Sequence, residues 1–198
     1  MDTDNLLHDL SLLTARLALG GTMAAHGAQK GFGAFGGPGI EGISKFMESL
    51  GFTPAQRYAR ALAATEMTSG ALIVLGALGP VGPATLISVM LAAIELVHRP
   101  KGYFNEKGGF EMNTMYIALA ILLANEGYGS FSVDALLGLH KKTRPTLSWA
   151  ILVGGVASAM FMLKQRNSPE QPSADASTQR SSSEHGDIES AVTARSPQ

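Results

Sequence analysis

Seven ionisable residues stand inside or at the borders of long apolar stretches in this 198-residue sequence: Arg16, His26, Lys30, Glu66, Glu95, His98 and Glu111. In an apolar medium each such charge is costly unless it is paired or wet. His26 and Lys30 are spaced i,i+4 and Glu95 and His98 i,i+3, so each pair is expected to share one face of a helix. One chemistry open to this set is structural, with Arg16 or Lys30 pairing with Glu66 to lock helices together. The other is a polar pocket that handles protons or binds a polar headgroup. With helices alternating in direction, His26, Lys30, His98 and Glu111 converge at one end of the bundle. Glu66 starts the next stretch on that side, and Glu95 lies within a turn of it. So many polar groups at one face exceed what packing demands, and a site is the favoured reading. His26 and His98 could serve as axial haem ligands, and His26, His98 and Glu111 as a zinc set. Both histidines lie at the ends of their stretches rather than in mid-helix pairs, and no metal is expected.

Other motifs carry less. Gly31-Phe-Gly33-Ala-Phe-Gly36 spells GxGxxG, yet it follows an apolar helix rather than a strand, which removes the context a dinucleotide fingerprint needs. Its glycines are expected to serve turns and close backbone approach. Gly27 and Gly31 form a GxxxG, a spacing at which small residues let helices pack closely. Phe32, Phe35, Tyr103 and Phe104 are expected to anchor at a membrane interface or to wall an apolar ring pocket.

The elements that must position these residues are five apolar stretches, Leu10–Gly27, Ala61–Gly79, Val81–His98, Asn113–Asn125 and Thr146–Leu163. The last carries no charge, and a helix of its length rises roughly 27 Å, close to the hydrocarbon thickness of a bilayer. A soluble bundle would show a polar face on each helix. None is visible in Ile87–Ala93 or Ala150–Leu163. The expected fold is therefore all-α and integral to a membrane, a four-helix bundle plus a fifth transmembrane helix. Residues 1–145 would form the four-helix membrane domain, 146–164 the additional helix, and 165–198 a polar tail too poor in apolar residues to build a core. Gly79-Pro80-Val81-Gly82-Pro83 predicts a tight helical hairpin, and long connections are expected over Lys30–Arg60 and Arg99–Glu111. The opening MDTDNLLHD lacks the basic region of a signal peptide, so no cleavage is expected. Lys30, Lys45, Arg57, Arg60, Arg99, Lys101 and Lys107 fall on one side and Lys141, Lys142 and Arg144 on the other, a count that would put the first group in the cytoplasm. The sequence has no cysteine, which excludes disulfides, a thiolate nucleophile, Cys-ligated zinc and an iron–sulfur cluster held by this chain. A net charge of −1 gives no basic footprint, and no nucleic acid partner is expected.

Arg16-Leu-Ala-Leu-Gly20, His26-Gly-Ala-Gln-Lys30, Phe35-Gly-Gly-Pro-Gly39, Glu66, Gly70, His98-Arg-Pro-Lys-Gly-Tyr-Phe104 and Gly108-Gly-Phe-Glu111 run in an order and spacing that resembles the DoxX family of small bacterial membrane proteins. The resemblance extends from about Leu10 to Gly129. It implies a multi-pass four-helix bundle in the bacterial inner membrane, with its N-terminus inside, against the charge count above. Members of that family include the membrane subunit of thiosulfate:quinone oxidoreductase, and others are linked to oxidative-stress complexes with a superoxide dismutase and a sulfurtransferase. By that resemblance the chain would be a membrane oxidoreductase subunit, surrounded by lipid and passing electrons to quinone from a partner that carries the redox centre. His26, Lys30 and Arg16 would form the quinone-binding set. Glu66 and Glu111 would relay protons, and His98 would share that path or orient a partner. A non-catalytic scaffold or a proton- or solute-permeation protein is the alternative. The fifth stretch and the tail lie outside the family's four-helix pattern.

Overall fold

In a computed structural model the chain is described over residues 3–139 and 145–165, and these residues are helical with no strand among them. The tail expected over 165–198 lies, beyond Gln165, outside the described residues, as do Lys141, Lys142 and Arg144. The helices are α1 (Thr3–Phe32), α2 (Gly39–Ser49), α3 (Ala55–Leu75), α4 (Val81–Ala93), α5 (Glu111–Glu126), the short α6 (Val133–Leu136) and α7 (Pro145–Lys164). Helix α1 packs along α3, α3 along α4 and α4 along α5, which returns to α1 and closes a ring of four. Helix α7 lies against the outside of α4. Leu12, Leu19, Met23, Ile73, Leu86, Ile87, Met90, Ala120 and Leu123 fill the centre of the ring. A smaller cluster of Ile43, Met47, Phe52 and Ala59 seats α2 on α3.

The segment expected as a long connection over Lys30–Arg60 contains α2. Ile43, Phe46, Met47 and Leu50 recur at helical spacing, and burying Ile43 and Met47 gives this stretch a reason to coil rather than loop. The hairpin between α3 and α4 is as tight as its glycines and prolines suggest. Gly76 ends α3 in the left-handed conformation (φ 64°), and the Ala77 N–H reaches back to the Leu72 carbonyl. Leu78 follows with φ 62°, a strained value for a side chain of that size. Asp134 holds it there, its carboxylate accepting the N–H groups of Leu78 (3.0 Å) and Gly79 (2.8 Å).

Of the five stretches expected to span a membrane, one falls in a helix long and apolar enough by length and composition, Val81–Lys101, with the shorter apolar helix Ser148–Lys164 beside it. The reason lies in the other three helices. Helices α1 and α3 carry Asp9, Arg16, Lys30 and Glu66 among their buried or half-buried residues, and α5 has 16 residues.

The antiparallel contact of α1 with α3 is made backbone to backbone. A Cβ on Gly20 would lie 2.7 Å from the Gly70 carbonyl oxygen, one on Gly70 would meet the Ala24 nitrogen, and one on Gly27 would meet the Met67 nitrogen. The close-packing seam is thus Gly20 and Gly27, two turns apart, against Gly70. In the expected Gly27/Gly31 pair only Gly27 belongs to it, since a Cβ on Gly31 would rest at an ordinary 3.6 Å from that of Ala63. Gly70→Ala should therefore cost about 2 kcal/mol or more by forcing the helices apart. Gly21→Ala, where nothing lies within 4 Å, should be neutral or stabilise by up to about 1 kcal/mol. Thermal unfolding of the two variants side by side checks this.

Candidate functional site

The end of the ring where α1 finishes holds a cavity of about 400 Å³, lined by residues of all four ring helices, α2 and α7. Most of its wall is apolar, and five methionines contribute to it: Met23, Met47, Met90, Met112 and Met162. Thioether side chains are flexible and polarisable, so such a wall adapts to planar or irregular ligands. The polar lining comes from His26, Lys30, Glu66, His98, Asn105, Asn113 and Tyr116.

Glu66 is 4% exposed at mid-helix on α3, and Lys30 reaches it from the last turn of α1 with Nζ 2.7 Å from Oε2. The antiparallel glycine seam sets this meeting, because it puts the end of α1 beside the middle of α3. A carboxylate this deep is held by its partner, while the ammonium keeps about a fifth of its side-chain surface open to the cavity. His26, one turn before Lys30, also lines the cavity.

His98 arrives by a different device. After Ala93 the helix widens into a π-turn over Ile94–His98 before a tighter turn at Arg99–Lys101. The widened turn breaks the i,i+3 relation expected of Glu95 and His98. Glu95 faces outward and pairs with Arg99 at 2.7 Å, whereas His98 lines the cavity. Such local widenings recur at functional sites. The His98 Nδ1 lies 2.7 Å from the Gly108 carbonyl, an atom that can only accept. Nδ1 therefore carries the hydrogen, and in the neutral ring Nε2 keeps its lone pair.

Besides Glu95, two of the sequence-selected residues stand elsewhere. Glu111 opens α5 outside the cavity lining, where its Oε2 accepts the Asn105 N–H at 2.9 Å and its own N–H binds the Tyr103 carbonyl. It braces the loop that presents Asn105. Arg16 lies at the opposite end of the ring, 1% exposed, and its guanidinium makes four hydrogen bonds to backbone. Nε donates to the Ile73 carbonyl (3.0 Å), Nη2 to Val74 (2.6 Å), and Nη1 to Tyr128 (2.8 Å) and Phe131 (2.7 Å). These are carbonyls at the end of α3 and in the segment after α5, and of the four only that of Ile73 has a backbone partner as well, the Gly76 N–H. Arg16 therefore does not join His26 and Lys30. Nearby, burial first and the Asp134 carboxylate second push the Tyr128 phenol up, so it stays protonated where a phenol ordinarily ionises.

Among the described residues no group of three or more His, Cys, Asp or Glu could hold a metal ion, so the zinc set of His26, His98 and Glu111 is not assembled. Asn113 and the methionines were not singled out from the sequence. An asparagine near the start of an apolar helix resembles an ordinary boundary residue, and methionines resemble core.

Comparison with protein-family models matches residues 11–99 to DoxX, just under half of the chain. No curated protein and no solved structure gives a match. The matched segment runs from the first turns of α1 through the π-turn to Arg99, and so contains His26, Lys30, Glu66 and His98. On that match the segment spanning residues 11–99 is similar to the DoxX family.

Proposed function

We propose that this protein is a multi-pass protein of the bacterial inner membrane and the membrane subunit of an oxidoreductase, with the α1-end cavity as its quinone site. The observation that carries the reading is an apolar, methionine-rich cavity of about 400 Å³ whose wall holds one buried carboxylate–ammonium pair. Membrane residence is supported by the DoxX match over residues 11–99 and by the outer face of α7. There Trp149, Val153, Val156 and Met160 form an exposed apolar stripe at helical spacing, of a kind soluble monomers rarely show.

The residues present suit a quinone ring. The methionine wall and Tyr116 take its faces, and Lys30 and His26 donate hydrogen bonds to a carbonyl oxygen, strengthened by low-dielectric surroundings. When bound, a quinone supplies a two-electron acceptor. With no cysteine and no metal cluster among the described residues, the electrons come from a partner protein carrying a redox centre. Glu66 holds a proton-exchanging carboxylate against Lys30, His98 offers Nε2 as a second proton station, and Glu111 positions the rim through Asn105.

A scaffold reading is favoured by the same Lys30–Glu66 pair, which ties α1 to α3 whether or not anything binds. Titration of decylubiquinone into the full chain in lipid nanodiscs separates the two. Saturable binding that weakens about tenfold in His98→Ala, with helicity unchanged, is the expected result. Absence of saturable binding, or release of the protein from membranes by carbonate, would overturn the proposal.

A further inference from the structure

One polar group in the cavity has no satisfactory partner inside the protein. Asn113, on α5, is 7% exposed, and the only hydrogen-bond contact of its side chain among the described residues is Nδ2 to the Met90 sulfur at 3.4 Å. A thioether is a weak acceptor, and an amide offers two donors and two acceptor positions. Burying an amide this way is unfavourable, and an apolar residue would fill the space at lower cost. Elsewhere the fold satisfies its buried polar side chains. Arg16 saturates four carbonyls, Ser69 donates to the Glu66 carbonyl, and Asp134 accepts two N–H groups. The Tyr128 hydroxyl also lacks a partner, but it lies at the opposite end of the ring, away from this cavity. Asn113 differs because it lines the cavity.

Its position adds to the argument. Lys30 and Glu66 come from the α1–α3 pair, whereas Asn113 and Met90 come from the α5–α4 pair. The cavity thus carries polar stations on two different helix pairs. A single-headed amphiphile, such as a fatty acid or an alkyl phenol, engages one station and leaves the other unpaired.

Resting on the quinone reading above, we propose that Asn113 is a second ligand-anchoring residue. Its amide donates a hydrogen bond to an acceptor on a different edge of the ligand from the one Lys30 reaches. The cavity accordingly selects rings with acceptors on two edges, the 1,4-dicarbonyl class, over rings with one.

The test uses the full chain in nanodiscs with two probes sharing one tail, decylubiquinone and 4-decylphenol. Asn113→Leu should weaken decylubiquinone roughly tenfold and leave 4-decylphenol unchanged. Infrared difference spectra of carbonyl-labelled decylubiquinone should show two downshifted C=O bands in the native protein, one of which returns to its unbound frequency in Asn113→Leu. Asn113→Ser, which keeps a donor in a smaller side chain, serves the same comparison if the leucine variant does not accumulate. Equal losses for both probes, or unaltered quinone affinity and bands, would overturn the anchoring role while leaving the quinone site standing. Native protein that binds 4-decylphenol but not decylubiquinone would overturn the quinone site itself, and the anchor with it.

Discussion

Arg16→Met is expected to destabilise the protein by about 4 kcal/mol or more, enough to abolish its accumulation. Methionine fills much of the arginine's volume, so the loss is one of hydrogen bonds rather than packing. Three backbone carbonyls, those of Val74, Tyr128 and Phe131, would be stranded in an enclosed region, each at roughly 1–3 kcal/mol, and that of Ile73 would keep only the Gly76 N–H. Lysine is no conservative replacement, because a single ammonium cannot reproduce the planar fork that reaches four acceptors on two chain segments. Arg16→Lys should therefore recover only part of the loss. The check is the thermal midpoint of each variant in detergent, together with its steady-state amount in membranes. Arg16→Met at native stability would show that these carbonyls find water, and would remove Arg16 from its structural role. Quinone affinity per folded molecule should stay within about twofold in Arg16→Lys, since the guanidinium lies at the end away from the cavity.

The second large effect concerns the ion pair. Lys30→Ala leaves Glu66 as a buried carboxylate without its counter-charge, a loss of about 3 kcal/mol or more unless a proton takes the ammonium's place. Glu66→Gln leaves Lys30 with an opening to the cavity and should be milder, about 1–2 kcal/mol. Lys30→Met with Glu66→Leu removes both charges and supplies apolar groups of similar bulk, so its stability should return close to native. That double variant separates the two functions of the pair. If the pair only ties α1 to α3, the double variant behaves as the native protein in every assay. If it also handles protons and binds a carbonyl, the double variant folds and loses quinone binding. Unfolding midpoints and decylubiquinone titration of all four proteins complete the cycle.

What could be read from the sequence follows from the cost of charge. Lys30 and Glu66 stand in apolar surroundings, and their convergence with His26 and His98 at one end follows from helices that alternate in direction. The ring helices were legible from composition, and so was a turn at Gly79-Pro80, whereas α2 was not. Membrane-crossing character is plain by length and composition in Val81–Lys101, whereas the charges of α1 and α3 and the 16 residues of α5 keep those helices below the same measure. Arg16 was misplaced for a definite reason. Its partners are backbone carbonyls, and a peptide group has no signature in the sequence. The Glu95–His98 relation failed because a π-turn shifts register by one residue, which a pattern of period 3.6 cannot announce. Asn113 escaped because its significance lies in lacking a partner, a property that only a packed structure can display.

The cavity has two origins. Its His26, Lys30, Glu66 and His98 lie within residues 11–99, the portion that matches the DoxX model, whereas Asn105, Met112, Asn113, Tyr116 and Met162 lie beyond it. Met162 comes from α7, held against α4 where Gly155 leaves no room for a side chain over the Ala84 carbonyl. Under the proposed function the paired charges and the histidines come from the matched segment, while α5 and α7 set part of the outline of the wall. Retuning selectivity would begin with α5 and α7, leaving the paired charges untouched.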